Sequence, residues 1–458
     1  MQAAQETSEK MGINLRRGDF SADFVWGCAT SSFQVEGAAH EGGREESIWD
    51  RFCKQPGAIR DSSDAQVACD HYHRWPQDLA LARSMGMNAY RFSIAWTRVM
   101  LADSATPNRE GLDFYSRMID GMLERGLQPW VTLYHWDLPQ SLQDAGGWES
   151  RTTVDAYVRY VDVVTREFGD RVKHWITHNE PWCSAMHGHW DGQHAPGKTD
   201  LKSALQACHH ILLSHGMAVP VIRRNVPRAL VGIALSLHPL YAASPAEEDQ
   251  CAMQRHDGIR NRWFLDALAG RGYPDDVWKL CANERPMVQD GDMQTIAAPL
   301  DFLGVNFYFP ETIAHCEERL PFQAQVVHRA DRERTAFNWE VAPQDLLPLL
   351  QRLQNDYQCA PMFITENGAT YEDVVTSDGR IHDAERRAYF QRHLQVVQQA
   401  VALGIDVRGY FAWSLMDNFE WAEGYQRRFG LVHVDFETQQ RRIKDSGLWF
   451  RNFLLSEE

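Results

Sequence analysis

The chain has 458 residues, 44% hydrophobic and 24% charged, a composition that supports a large core and excludes disorder. Its formal charge of −16 opposes phosphate backbones and anionic lipid, so nucleic-acid and membrane-surface binding are disfavoured. No run is apolar for the length of a membrane span, residues 1–19 lack the apolar core of a secretory signal, and the nine cysteines show no paired spacing, which points to reduced thiols in the cytoplasm.

Residues 1–19 are polar and mixed in charge and read as a flexible N-terminal segment ahead of one unit over 20–458. From there, short β-branched or aromatic runs recur at 24–28, 89–94, 130–134, 174–177, 230–235, 302–306, 362–365 and 409–413. Stretches with helical spacing lie between them, at 115–125, 153–168, 201–225 and 383–403 among others. Eight strands alternating with helices predict an α/β fold, a single (β/α)₈ barrel. A doubly wound open sheet is the alternative, but no strand is followed by a Gly-x-Gly-x-x-Gly or phosphate-loop motif. The long insertions after the first, fifth and sixth strands would enlarge the loop face at the strands' C-terminal ends, where barrel active sites form.

Two acidic motifs fall at strand ends. Thr177-His178-Asn179-Glu180-Pro181 closes the fourth strand and Ile364-Thr365-Glu366-Asn367-Gly368 the seventh. Either alone reads equally as a solvated turn; together, a barrel brings them face to face across its mouth. Paired carboxyls of this kind are what glycosidic-bond hydrolysis requires, one as acid and one as nucleophile or base. Polar and aromatic residues gather at the other strand ends: Gln34, Arg91, His135, Trp136, Asn306, Tyr308 and Trp413, with Glu420, Trp421 and Phe429 in the last loop. Hydrogen-bonding groups edged by indoles suit a pyranose, whose hydroxyls need polar partners and whose C–H face needs flat apolar cover. Glu420 and Trp421 can share a pocket only from a loop, since strand neighbours point opposite ways.

The run from Phe24 to Gly37 (Phe-Val-Trp-Gly-Cys-Ala-Thr-Ser-Ser-Phe-Gln-Val-Glu-Gly) resembles the amino-terminal signature of glycoside hydrolase family 1, the β-glucosidases. The likeness continues through Tyr90-Arg91-Phe92-Ser93-Ile94-Ala95-Trp96, Leu133-Tyr134-His135-Trp136-Asp137-Leu138-Pro139, both acidic motifs, and the run from Trp413 to Trp421, over about residues 20–453. The resemblance implies that Glu180 is the acid/base and Glu366 the nucleophile of a retaining β-glucosidase. It implies that Gln34, His135, Asn179, Glu420 and Trp421 hold the non-reducing sugar and that Trp413 lies under its ring. Trp339 would face the aglycone, and Arg91 and Tyr308 would contact the nucleophile. Trp136, Asn306 and Phe429 complete the candidate substrate site. No cofactor or metal is implied, and the partner is a small-molecule β-glucoside or oligosaccharide.

Double displacement predicts carboxyl groups ~5 Å apart, with the negative charge of Glu366 raising the pKa of Glu180. Some positions depart from the family pattern: His178 stands beside the acid/base where an apolar residue is common, and Phe307, Cys28 and the Pro-less Arg442-Ile443-Lys444-Asp445-Ser446 also differ. His187, His189 and His194, and His71 with His73, invite a metal reading, but no Cys or carboxylate completes a tetrahedral spacing. A broad β-glycosidase, a transglycosidase, a 6-phospho-β-glycosidase and a non-catalytic sugar-binding barrel are the rival readings. Glu420 speaks against phosphate, and two retained glutamates speak against a binding barrel. Oligomeric state is not legible.

Overall fold

A computed structural model describes residues 15–456 apart from positions 102, 104 and 360. Eight parallel strands close into a barrel: β1 (Val25–Ala29), β2 (Ala89–Ser93), β3 (Gln128–Tyr134), β4 (His174–Asn179), β5 (Leu230–Ser236), β6 (Phe302–Asn306), β7 (Met362–Asn367) and β8 (Val407–Trp413). Each pairs with its sequence neighbours, and β1 pairs with β8 to close the ring. The expected strands are all present. Several run one or two residues further, so Asn179 and Glu366 lie inside strands and only Glu180 lies beyond one.

Of the N-terminal segment 1–19, residues 1–14 lie outside the described residues. Arg17–Asp19 form a 3₁₀ turn, and the Arg17 guanidinium sits over the Trp26 ring.

Strand alternation sorts the apolar residues into two cores. Val25, Ala89, Trp130, Ile176, Phe302, Phe363 and Phe411 fill the barrel interior. There the Trp130 ring meets Phe302, Phe363 and Phe411 at centroid distances of 5.3, 4.7 and 5.1 Å. Gly27 makes room for this packing, since a Cβ there would lie 2.3 Å from the Phe411 ring. Trp175, Val231, Val305, Ile364 and Tyr410 face outward, into the larger core beneath the helices.

Those helices include Arg109–Glu124, Arg151–Phe168, Leu201–Asn225 and Ala384–Ala402, close to the expected spans. Further helices, His71–Ser84, Leu346–Tyr357 and Asp445–Leu455, complete the outer layer. The long loops after β5 and β6 build a three-stranded sheet of Leu240–Ala242, Glu311–His315 and Ala324–Val327 over the C-terminal face.

The loop after β8 is anchored by buried charge. Asp417 accepts the Gly430 N–H at 2.9 Å, Lys444 Nζ at 2.6 Å and Arg428 Nη1 at 2.8 Å. Lys444 also reaches Asp373, and Arg386 ties Asp373 to Asp383. So Lys444, within the segment that departs from the family pattern, pins the loop that carries Glu420, Trp421 and Phe429.

Candidate active site

A cavity of about 320 Å³ opens at the C-terminal ends of the strands. Of the residues singled out from the sequence, His135, Trp136, Asn179, Glu180, Tyr308, Trp339, Glu366, Trp413, Glu420, Trp421 and Phe429 line it. Gln34, Arg91 and Asn306 are buried behind that lining and act through their hydrogen bonds.

The two glutamates reach the cavity because their strands break register. On β4, three residues advance from Ile176 to Asn179 while β5 advances two, from Gly232 to Ala234. On β7, two residues advance from Ile364 to Glu366 while β6 advances one, from Val305 to Asn306. An extra residue of this kind re-aims every side chain after it, and such bulges concentrate beside active sites. Glu180 then takes a left-handed backbone, φ 47°, fixed by its N–H on Ala234 O at 2.8 Å. Trp136 and Trp421 are also left-handed, at φ 78° and 50°. Such backbones cost about 1–3 kcal/mol each and persist where the surroundings over-determine them.

One hydrogen-bonded chain joins the carboxyls. Arg91 donates through Nη1 to Glu366 Oε1 at 2.5 Å and through Nη2 to Asn179 Oδ1 at 2.6 Å. Asn306 Nδ2 donates to Asn179 Oδ1 at 3.0 Å and to Glu180 Oε1 at 2.9 Å. Tyr308 donates to Glu366 Oε2 at 2.7 Å, and the Cys183 thiol donates to Glu180 Oε2 at 3.3 Å. Asn179 thus accepts twice through Oδ1, which leaves Nδ2 to donate to His135 Nε2 at 3.1 Å. Burial and the Arg91 charge hold the His135 imidazole well below its ordinary pKa. With Nε2 accepting, the neutral ring carries its proton on Nδ1.

The carboxyl driven upward is Glu366. Burial pushes it up to about 7, against the Arg91 guanidinium and the Tyr308 hydroxyl and with the negative charge of Glu180. Glu366 is fully enclosed, so desolvation outweighs one cation and one hydroxyl donor. Burial, with Glu366 and Glu180 nearby, also pushes Glu420 well up. Gln34 opposes that, donating from Nε2 to Glu420 Oε2 at 3.4 Å and to Phe419 O at 2.9 Å.

Aromatic rings form the rest of the wall. Trp421 packs on Trp136 at 4.5 Å and Trp413 stacks with His135 at 5.9 Å. Trp339 lies 4.3 Å from Phe337, 4.8 Å from Phe309 and 5.8 Å from Phe429. Glu420 and Trp421 share the cavity from a loop, with Trp421 opening a 3₁₀ turn.

His178 points away from this chemistry. It is buried between β4 and the helix Leu201–Asn225, where Nε2 meets Ser214 Oγ at 2.8 Å and the ring packs on Tyr157 at 4.6 Å. Burial pushes its pKa far down, so it stays neutral.

Among the described residues, no group of three or more His, Cys, Asp or Glu is placed to hold a metal. His187 and His194 line the cavity, and His187 is held by Asp191 at 2.7 Å.

The sequence reading passed over other lining residues, among them Trp182, Cys183, Ser236, His238, Arg260 and Phe337. Cys183 and Trp182 sit one turn past Glu180, where a π turn at Cys183–His187 follows the strand; that proximity was the available signal. Arg260 and His238 come from the loop region after β5, and nothing local marks them.

A sequence model described as Glycosyl hydrolase family 1 matches residues 16–458. The chain belongs to glycosyl hydrolase family 1. Among relatives, it is 42% identical to β-glucosidase A of Thermotoga maritima over 96% of this chain and 98% of that protein. It is 41% identical to β-glucosidase A of Acetivibrio thermocellus, over 95% and 98%. In structure it is similar to the Thermotoga maritima family 1 β-glucosidase in complex with isofagomine lactam, with a TM-score of 0.93, 41% identity and coverage of 96% and 99%. The AHE enzyme of Alicyclobacillus herbarius superimposes with a TM-score of 0.92 at 45% identity, covering 95% and 97%. Family 1 membership therefore covers the strand ends and loops that form the cavity as well as the barrel.

Proposed function

We propose that this enzyme is a retaining β-glucosidase that releases terminal non-reducing β-D-glucosyl residues from cello-oligosaccharides or from aryl and alkyl β-glucosides. The observation that carries the reading is the pair of carboxyls facing one cavity with different partners. Glu366 receives N–H and O–H donors on both oxygens, as a carboxylate nucleophile requires. Glu180 accepts one amide N–H and one weak thiol donor, with no cationic partner among the described residues.

In the first step a Glu366 oxygen attacks the anomeric carbon while the proton on Glu180 moves to the glycosidic oxygen. The C–O bond to the leaving group breaks and a glucosyl ester forms. Esterification removes the negative charge of Glu366, so Glu180 ionises and can act as base. It then takes a proton from water as the water oxygen attacks the anomeric carbon and the bond from that carbon to Glu366 breaks, releasing β-glucose and restoring the Glu366 carboxylate. Arg91 and Tyr308 stabilise the charge that returns to Glu366. His135, Asn179, Glu420 and Trp421 hold the sugar, with Gln34 positioning Glu420; Trp413 covers its apolar face, Trp136, Trp339 and Phe429 complete the lining, and Asn306 orients Asn179 and Glu180. A role in cellulose breakdown and a cytoplasmic location accompany this reading, the latter resting on cysteine usage.

A 6-phosphate needs cationic partners, and the carboxyl of Glu420 offers none, so the 6-phospho reading is disfavoured. Initial rates on nitrophenyl β-glucoside, β-galactoside, β-fucoside and 6-phospho-β-glucoside, with cellobiose, test the assignment. The glucoside and fucoside should lead; a preference for the phosphosugar would sink it. Proton NMR of the early product should show β-glucose, and α-glucose would refute retention.

A further inference from the structure

Glu180 is aimed by an irregularity in its strand, and two helix residues hold that irregularity. Thr177 and His178 of β4 stand together against Ile233 of β5, between the pairs Ile176–Gly232 and Asn179–Ala234. Two residues against one make a bulge, and the side chains beyond it change face. Neighbours on a regular strand point to opposite faces. Here both side chains reach one helix, Leu201–Asn225, at consecutive positions. Thr177 Oγ1 is bonded to His215 Nδ1 at 2.7 Å, and His178 Nε2 to Ser214 Oγ at 2.8 Å. Ser214 gives its own hydroxyl hydrogen to Ile211 O at 2.8 Å, so His178 is the donor.

All four residues are fully buried, and among the described residues His178 Nδ1 and His215 Nε2 have no hydrogen-bond partner. Apolar side chains would avoid that cost, so core stability alone does not account for the two imidazoles. A regular register would send His178 into the barrel and Asn179 out of it, and Ser214 would lose its partner. The two bonds to the helix therefore form together only when β4 is bulged. Tyr157, from the helix Arg151–Phe168, donates to Thr177 O at 2.5 Å and fixes the same stretch from a second helix. Just beyond the bulge, the Glu180 N–H reaches Ala234 O, and Asn306 meets both Asn179 Oδ1 and Glu180 Oε1. Burial keeps both imidazoles neutral, with His215 pushed down to about 3, so neither bond switches near neutral pH.

We propose that Ser214 and His215 are positioning residues for Glu180, selecting the bulged register of β4 that turns Asn179 and Glu180 into the cavity. Neither lines the cavity, so both act through the strand. The inference rests on the β-glucosidase reading in which Glu180 is the proton donor.

The test is the ratio of kcat/KM for dinitrophenyl glucoside to kcat/KM for cellobiose. Only cellobiose needs a proton on its leaving group, and the fraction of folded enzyme cancels in the ratio. His215→Leu should raise the ratio about tenfold, the order of effect that slight misplacement of a catalytic group produces. His215→Asn, whose amide can meet Thr177 from the place of Nδ1, should return it toward the wild-type value. An unchanged ratio in His215→Leu, or an Asn variant that behaves like the Leu variant, overturns the proposal. Should His215→Leu fail to fold, Ser214→Ala decides: a ratio raised about threefold supports positioning, and an unchanged ratio overturns it. Glu180→Ala separates the two levels. If it leaves the ratio unchanged, the proton-donor reading fails and the positioning role with it; if it raises the ratio and the helix variants do not, the positioning role alone fails.

Discussion

The guanidinium of Arg91 on β2 reaches Glu366 on β7, a strand that is not its neighbour, and bonds its carboxylate at 2.5 Å within the barrel interior. Both side chains are almost fully buried, and the same guanidinium also takes Thr132 Oγ1 at 3.2 Å and Thr365 O at 3.0 Å. The pair therefore fixes the nucleophile in place and opposes the rise in its pKa that burial causes.

Tyr308 is the second restraint on that pKa. Removing its hydroxyl in Tyr308→Phe takes away the 2.7 Å donor to Glu366, so Glu366 should hold its proton to higher pH. The acid limb of kcat/KM should move up by about one unit and kcat fall by about 10–100-fold. A pH–rate profile with an unmoved acid limb would contradict this role.

Glu366→Gln should lower turnover by at least about 10⁴-fold, as loss of a nucleophile does. In the wild type, a fluorinated glucoside inactivator should leave its mass on the peptide containing Glu366, and labelling elsewhere would refute the assignment. Stability carries a second signature. Because folding raises Glu366 from 4.5 to about 7, its contribution is fully present below pH 4.5 and is lost as pH rises through 7. The Tm of Glu366→Gln relative to wild type should therefore climb between those two values, checked by thermal melts across the range.

Glu180→Ala should spare dinitrophenyl glucoside, whose leaving group needs no proton, and cost cellobiose about 10²–10⁴-fold. Azide should restore turnover of the activated substrate by replacing the missing base. Equal losses on the two substrates would argue against an acid role.

Gly368 follows the nucleophile motif where the backbone meets β8. A Cβ there would lie 1.8 Å from Trp413 O, so neither strand can stay in place. Gly368→Ala should cost about 1–3 kcal/mol by denaturant unfolding and displace both Glu366 and the Trp413 ring, with kcat falling further than the stability loss explains. Wild-type kcat in the variant would mean that the close approach is not needed for catalysis.

Lys444→Met leaves Asp417 and Asp373 without their shared cation inside the protein. Removing one partner of a buried network costs about 3–5 kcal/mol, seen as a lower Tm. KM should rise with it, because Asp417 anchors the loop bearing Glu420 and Trp421. A variant with unchanged KM and Tm would show that the network does not hold that loop.

Eight strands, their helical partners and the two glutamate motifs could be read from the sequence, because alternation and turn chemistry are local properties. Even the shared pocket of Glu420 and Trp421 followed from the rule that strand neighbours diverge. The tertiary structure decided which way the critical side chains face. Strict alternation from Ile176 and Ile364, one facing the interior and the other the helices, would turn Asn179 and Glu366 out of the barrel; one extra residue on β4 and one on β7 turn both inward. Those bulges depend on pairing with β5 and β6, strands distant in sequence. The same is true of the carboxyl burial that pushes the Glu366 pKa up.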